Sequence, residues 1–186
     1  AGPAGLACAF YLSLLGHEAT IYDSNAAAGG MLRYALPEYR LPEHVLDKEI
    51  ELIERLGVKF VFNTTVGRDL SLDELEAQYD AVFLAMGTWK EASARLPGIE
   101  LRGVMPALGF LEAVSKGEKV NLGKRVAVIG GGNSAIDSAR TALRMGAEVT
   151  VIYRRERKDM PAIKEEVEAA EAEGANFVYL AAPHRI

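Results

Sequence analysis

Cysteine is nearly absent from these 186 residues, with Cys8 the only one. A single thiol excludes an internal disulfide, a Cys-x-x-Cys redox pair and an all-cysteine metal site within this stretch. Set between Ala7 and Ala9 in a segment of helical pattern, Cys8 reads as a small buried side chain. An excess of basic residues is also missing. Lys and Arg number 21 against 26 Asp and Glu, for a net charge of −5. A surface that tracks nucleic-acid phosphates needs the opposite balance, so no nucleic-acid partner is expected. No apolar run approaches the roughly 18 residues of a membrane-spanning helix, and no secretory signal is visible. The expected location is cytoplasmic, and the glycosylation triplet Asn63, Thr64, Thr65 reads as chance. The three histidines, His17, His44 and His184, are scattered. No catalytic residue and no metal site is expected. An initiating methionine is missing too: the chain opens at Ala1 inside a glycine-rich motif and reads as a fragment of a larger chain.

What is present has the composition of an ordinary globular protein, 49% hydrophobic and 25% charged,. Short β-branched runs alternate with amphipathic stretches, the pattern of an α/β protein with parallel sheets and crossover helices. A helix is predicted over 3–15, a strand over 17–23 and a glycine- and proline-bearing loop over 24–41. The next helix, 42–56, begins at Pro42 and stops before Gly57. Val45, Leu46, Ile50, Ile53 and Leu56 form its expected buried face. A strand over 58–62 follows, then a short helix over 71–77 opened by a capping box, Ser71 with Glu74. The apolar run 81–85 predicts a strand buried on both faces. Residues 88–106 are irregular, and the domain boundary is placed there. A helix over 107–114 leads to a second unit: strand 125–129, helix 134–145, strand 148–153, helix 162–173 and strand 176–180. The same strand–glycine turn–helix–strand unit therefore occurs twice, beginning near Ala1 and near Arg125.

Each unit carries a glycine motif at the head of its helix. Ala1, Gly2, Pro3, Ala4, Gly5 and Leu6 match the tail of G-x-G-x-x-G. In that motif one glycine admits the pyrophosphate of a dinucleotide and another lets the helix pack closely on the sheet. The helix start offers free N–H groups and a partial positive charge. Asp23 closes the following strand, about 20 residues on, where a carboxylate accepts hydrogen bonds from an adenosine ribose. Gly29 and Gly30 then allow a second close backbone approach. In the second unit Gly130, Gly131, Gly132, Asn133, Ser134 and Ala135 read G-x-G-x-x-A. The strand after that helix ends in Arg154 and Arg155 rather than in an acid. An acid there binds a ribose hydroxyl, whereas arginine pairs with a 2′-phosphate, which predicts NADPH over NADH. Arg157 and Lys158 read as surface charges.

Two dinucleotide motifs, with a Met86–Gly87 turn between them, resemble the two-dinucleotide-binding flavoproteins. The segments AGPAGL, GGMLRYALPEYRLPEHVLDKEI, YDAVFLAMGT, VAVIGGGNSAIDSARTA and VIYRRERKDMPA are similar to the small subunit of NADPH-dependent glutamate synthase and its relatives, among them the FAD/NADPH part of dihydropyrimidine dehydrogenase. The resemblance covers nearly the whole chain. It implies two Rossmann-like units in the FAD/NAD(P)-binding fold: a partial FAD-binding domain over 1–100 and a C-terminally incomplete NAD(P)H-binding domain over 101–186. FAD would then contact Gly2, Pro3, Ala4, Gly5, Asp23, Gly30, Leu32, Arg33 and Gly87. NADPH would contact Gly131, Gly132, Asn133, Ser134, Arg154 and Arg155. The family passes a hydride from NADPH to FAD and sends electrons on to iron–sulfur clusters, here outside the chain, and to a partner such as the glutamate synthase large subunit. The fragment by itself is expected to be inactive. Where the family often reads Tyr-Gly-Ile-Pro, this chain has Tyr34, Ala35, Leu36 and Pro37, so a change of loop path is expected. Competing readings are another two-dinucleotide flavoprotein, such as a ferredoxin–NADP reductase or thioredoxin-reductase type, and a non-catalytic nucleotide-binding module. The missing Cys-x-x-Cys and the missing F-x-G-x-x-x-H fingerprint stand against thioredoxin reductase and flavin monooxygenase types.

Overall fold

Proline at the first helical position and a run free of β-branched residues start helix α1 (Pro3–Leu14). Proline lacks the N–H that a first turn leaves unpaired, and its fixed φ suits that position. The computed structural model describes residues 1–90 and 96–186, in two compact units, Ala1–Thr88 and Trp89–Ile186. The expected irregular stretch 88–106 includes residues 91–95, which lie outside the described residues.

In the first unit α1 is followed by β1 (Thr20–Tyr22), the single-turn α2 (Met31–Tyr34), α3 (Glu43–Arg55), β2 (Lys59–Val61) and α4 (Leu72–Gln78). Strands β1 and β2 pair in parallel, Thr20 opposite Lys59 and Tyr22 opposite Val61. Their crossover contains α3. Leu46 and Ile50 of α3 meet Leu6, Ala9, Ile21 and Val58 in one apolar core, with Ile53 packed against it. Val45 and Leu56, expected on that buried face, are 41% and 40% exposed. A two-stranded ladder covers only a narrow stripe of the helix, the i, i+4, i+7 row through Leu46, Ile50 and Ile53, and the flanking positions stay wet. The capping box is present as expected. The Ser71 hydroxyl accepts the Glu74 N–H, and the Glu74 carboxylate accepts the Ser71 N–H.

Three further expectations for this unit are corrected: the strand over 81–85, the all-loop reading of 24–41 and the burial of Cys8. The strand over 81–85 does not form. A parallel strand needs a ladder neighbour, and among the described residues this sheet holds β1 and β2 alone. Phe83 and Leu84 consequently lie mostly exposed. Residues 24–41 are not all loop, because α2 interrupts them. Ala35, placed where the family often has glycine, takes φ −124°, so its methyl meets no left-handed strain. Cys8 is half-buried rather than buried.

The second unit runs α5 (Ala107–Ser115), β3 (Arg125–Ile129), α6 (Asn133–Arg144), β4 (Glu148–Tyr153), a 3-10 turn at Arg157–Asp159, α7 (Lys164–Ala172) and β5 (Asn176–Tyr179). Its sheet has the order β3-β4-β5, with both pairings parallel. Val149 and Val151 of the central strand pack with Ala139 and Ala142 of α6 and with Phe110 and Leu111 of α5. The alanines let α6 approach the sheet closely, and each fully buried valine contributes roughly 1.5–3 kcal/mol. Alternate residues of β3 and β4 face the other way, so Arg125, Ala127 and Ile129 are exposed.

Helices α6 and α7 are joined by charge. The Arg140 guanidinium reaches Glu166 and also Glu173, the latter at 2.5 Å. Arg144 adds a contact to Glu173 at 2.7 Å. These bonds from Arg140 and Arg144 hold the Glu173 carboxyl down at about 2, against desolvation that opposes the shift.

Candidate dinucleotide-binding sites

In the first unit two glycine segments meet backbone to backbone. Gly2 is the extended residue before α1, and no side chain caps that helix, so its first-turn N–H groups face outward. Gly29 donates its N–H to the Ala1 carbonyl at 2.8 Å. Gly30 takes φ 54°, and a Cβ built there would stand 2.6 Å from the Gly2 Cα. Only glycine fits, both for the positive φ and for the approach. Asp23 lies beside this turn. Its carboxylate accepts the Asn25 N–H at 2.7 Å and the Asn25 side chain at 3.1 Å.

The remaining expected residues of this site divide. Arg33 turns back into its own unit: its Nε donates to the Ala28 carbonyl at 2.5 Å, and its terminal nitrogens reach Glu43 and Asp47. That arrangement clamps the glycine loop to α3. Leu32 packs against the apolar core. Pro3 and Ala4 are exposed at the helix start, and Gly5 is half-buried. A Cβ at Gly5 would meet the Ala85 Cβ at 3.6 Å, so the segment leading to Gly87 lies beside the helix. Gly87 itself is exposed, with φ 70°.

In the second unit the glycine turn closes β3 and opens α6. The Gly130 N–H donates to the Ile152 carbonyl at 3.0 Å. A Cβ at Gly130 would stand 3.3 Å from the Ala135 Cβ, which shows why the sixth motif position is small. Gly132 is the extended residue before α6, again with no side-chain cap, and the space over it is open. Ser134 is half-buried in the first turn. Asn133 is exposed, and its side-chain oxygen accepts the Ile163 N–H at 2.9 Å.

The basic run separates by pairing. Arg157 makes a two-bond contact to Glu171 at 2.9 and 2.7 Å, which drives its guanidinium well above the ordinary arginine range and lowers the Glu171 carboxyl. Lys158 pairs with Glu156 at 2.7 Å. Arg154 and Arg155 are exposed, and among the described residues neither has a carboxylate partner. The uncompensated positive charge therefore sits at the end of β4, next to the glycine turn.

Sequence reasoning missed what holds this loop in place. The Gly131 carbonyl accepts the Ala162 N–H at 3.1 Å. The Tyr153 ring lies on Gly131, and its hydroxyl donates to the Asp159 carbonyl at 2.7 Å. The alternation of β4, which sends Val149, Val151 and Tyr153 inward, was the signal that would have found Tyr153. Two surface depressions lie elsewhere. One of about 370 Å³ lies over Arg125, Ala127, Glu148, Thr150 and Asn176. Another, of about 660 Å³, is lined by Thr20, Tyr22, Lys59 and Tyr79 among others. In the latter the Tyr79 phenol is shifted down by hydrogen bonds from Thr20 and Tyr22.

Parallel strands linked by helices, with an uncapped glycine turn at the head of α1 in the first unit and of α6 in the second, define an α/β protein of the Rossmann-like dinucleotide-binding class. A profile of the pyridine nucleotide-disulphide oxidoreductases matches residues 1–184, and the chain belongs to that family. It is 43% identical to the NADPH-Fe(3+) oxidoreductase subunit beta of Geobacter sulfurreducens, over 100% of this chain and 29% of that one. It is 41% identical to the glutamate synthase [NADPH] small chain of Escherichia coli, over 98% of this chain and 41% of that one. The chain thus spans less than half the length of these curated relatives. The same fold occurs in the structure of Mycobacterium tuberculosis FprA in complex with NADPH, with a TM-score of 0.82 at 20% identity, covering 100% of this chain and 59% of that one. No helix among the described residues is long and apolar enough to cross a membrane.

Proposed function

We propose that this chain is the nucleotide-binding front of an NADPH-dependent flavoprotein oxidoreductase of the glutamate synthase small-subunit type. Residues 1–100 belong to its FAD-binding domain and 101–186 to its NADPH-binding domain. The observation that carries this reading is the pairing pattern of the basic run. Arg157 and Lys158 are neutralised by Glu171 and Glu156, while Arg154 and Arg155 are left uncompensated at the end of the second strand of a dinucleotide-binding unit. A 2′-phosphate is the anion such a position recognises.

The residues present fit both cofactors. Gly2 and Gly30 leave a bare backbone surface that any side chain would fill. The uncapped first turn at Ala4 and Gly5 presents N–H groups to a pyrophosphate. Asp23 serves the adenosine ribose, and Leu32 and Gly87 border the same cofactor. Arg33 supports this site through its clamp on the loop. In the second unit Gly131, Gly132 and Ser134 present backbone to the NADPH pyrophosphate. When bound, the two cofactors supply the redox chemistry, a hydride passing from NADPH to FAD. The protein's own part is to bind, orient and shield them.

Relatives named as a subunit beta and a small chain support a partner that takes the electrons, such as a glutamate synthase large subunit. Iron–sulfur clusters carried outside residues 1–186 would relay them. The setting is the cytoplasm. The alternative is another two-dinucleotide flavoprotein, such as a ferredoxin–NADP reductase. The thioredoxin-reductase type is disfavoured because Cys8 is the only thiol. The test is to mix the full-length protein with NADPH or NADH without oxygen and follow its flavin absorbance. Rapid bleaching by NADPH, and much slower bleaching by NADH, is the expected result. A flavin that neither nucleotide bleaches, or a protein without flavin, would leave a non-catalytic nucleotide-binding module.

A further inference from the structure

The loop that carries Arg154 and Arg155 is exposed, yet it is tied down at several points. At its start, the Tyr153 ring rests on Gly131, with 7% of the residue exposed. At its turn, the Tyr153 hydroxyl donates to the Asp159 carbonyl at 2.7 Å. At its end, the Ala162 and Ile163 N–H groups donate to the Gly131 carbonyl and the Asn133 side-chain oxygen, at 3.1 and 2.9 Å. From outside, the Ala181 and Leu180 N–H groups donate to the Tyr153 and Arg155 carbonyls, at 3.1 and 3.2 Å. The turn that faces the pyrophosphate and the loop that faces the 2′-phosphate are therefore one hydrogen-bonded piece.

We propose that Tyr153 is a positioning residue that sets the preference for a 2′-phosphorylated nucleotide, by holding the Arg154–Asp159 loop on the Gly131 turn. This rests on the assignment of Arg154 and Arg155 to the 2′-phosphate. A free loop bearing two arginines loses conformational entropy when it closes on an anion. A loop already fixed does not, and the difference appears as affinity. The ring and the hydroxyl have separable tasks. The ring fills the space over Gly131. The hydroxyl reaches six residues along the chain and fixes the far side of the loop.

Tyr153→Phe in the full-length protein keeps the ring and removes the bond. NADPH and NADH dissociation constants are measured with wild type, Tyr153→Phe and Arg154→Ala. The NADPH affinity of Tyr153→Phe is expected to fall about fivefold, the worth of one neutral hydrogen bond, while NADH affinity stays put. Equal weakening of both nucleotides, or no change in either, would overturn the positioning role. An Arg154→Ala protein that retains the full NADPH preference would instead remove the 2′-phosphate assignment, and the proposal with it. Amide hydrogen exchange on the wild type gives a readout that needs no variant. The Ala162 and Ile163 N–H groups are expected to be protected before any nucleotide is added. Protection that arises only with NADPH would show that the ligand orders the loop, and would sink the idea.

Discussion

The Tyr153 ring lies so close to Gly131 that a Cβ at 131 would stand 2.6 Å from two of its carbons. Gly131→Ala must therefore push the ring off the turn. Overpacking of this kind costs about 1–3 kcal/mol. Because Tyr153 also holds Asp159, the displaced ring carries the arginine loop with it. The expected outcome is a lower melting temperature together with a weaker response to NADPH. Thermal unfolding with and without NADPH checks both. An alanine variant that melts and binds as wild type would mean that the ring can move at no cost.

Gly30 provides the corresponding test in the first unit. Its added Cβ would meet backbone, the Gly2 Cα at 2.6 Å, and its φ is 54°. Backbone cannot swing aside as the end of a side chain can. Gly57 has φ 92° with nothing within 4 Å of an added Cβ. Gly57→Ala should thus cost only the left-handed conformation, about 1 kcal/mol. Gly30→Ala should cost more and disturb the proposed flavin site. In the full-length protein the flavin-to-protein absorbance ratio is expected to drop for Gly30→Ala and hold for Gly57→Ala. Equal ratios in the two variants would argue against a flavin at Gly2 and Gly30.

Most of the second unit was legible in the sequence because its strands are β-branched and its glycines and Ala135 fall at fixed offsets. The strand over 148–153 ends where expected, at Tyr153. The helix expected from 162 starts instead at Lys164, and the Ala162 and Ile163 N–H groups donate to the Gly131 carbonyl and the Asn133 side chain. Such a tertiary hydrogen bond leaves no trace in local periodicity. The run 81–85 failed for a related reason. Its apolar composition suggested a strand buried on both faces, but a strand requires a ladder partner, composition says nothing about that, and Phe83 and Leu84 lie mostly exposed. The sequence shows the candidate site residues as types and not as partners. Arg33 carries the right charge for a phosphate, yet it is held by Glu43 and Asp47, 10 and 14 residues away.

Arg157 separates charge from recognition. It lies two residues beyond Arg155 and has the same guanidinium, but Glu171 holds it. Arg157→Ala is expected to leave the NADPH-to-NADH affinity ratio within about twofold and, as the loss of a solvent-screened surface pair, to change stability little. Arg154→Ala should lower the ratio at least tenfold, the order expected when a charge-assisted bond to phosphate is lost (about 1.5–3 kcal/mol). Nucleotide titrations of the two variants side by side decide it. If Arg157→Ala lowers the ratio as much as Arg154→Ala does, net charge of the loop, and not placement, governs the preference.

Arg140 supports the second unit from behind the site. Its side chain is only 10% exposed and bridges Glu166 and Glu173. Arg140→Leu removes the guanidinium that bridges the two carboxylates. The expected cost is about 3 kcal/mol, the lower end for a broken buried pair, because Arg144 still reaches Glu173,. The same network makes stability depend on acid. Glu173 titrates at about 2 when folded, against 4.5 ordinarily. A carboxyl depressed by folding contributes its full stabilisation above its unfolded value and loses it as the pH falls towards the folded one. Urea unfolding midpoints should therefore decline as pH drops through the window from 4.5 to about 2. In Arg140→Leu that decline should be shallower, since less of the depression remains. A variant whose acid limb matches the wild type would show that Arg144 alone sets the carboxyl, and that Arg140 acts on stability through packing.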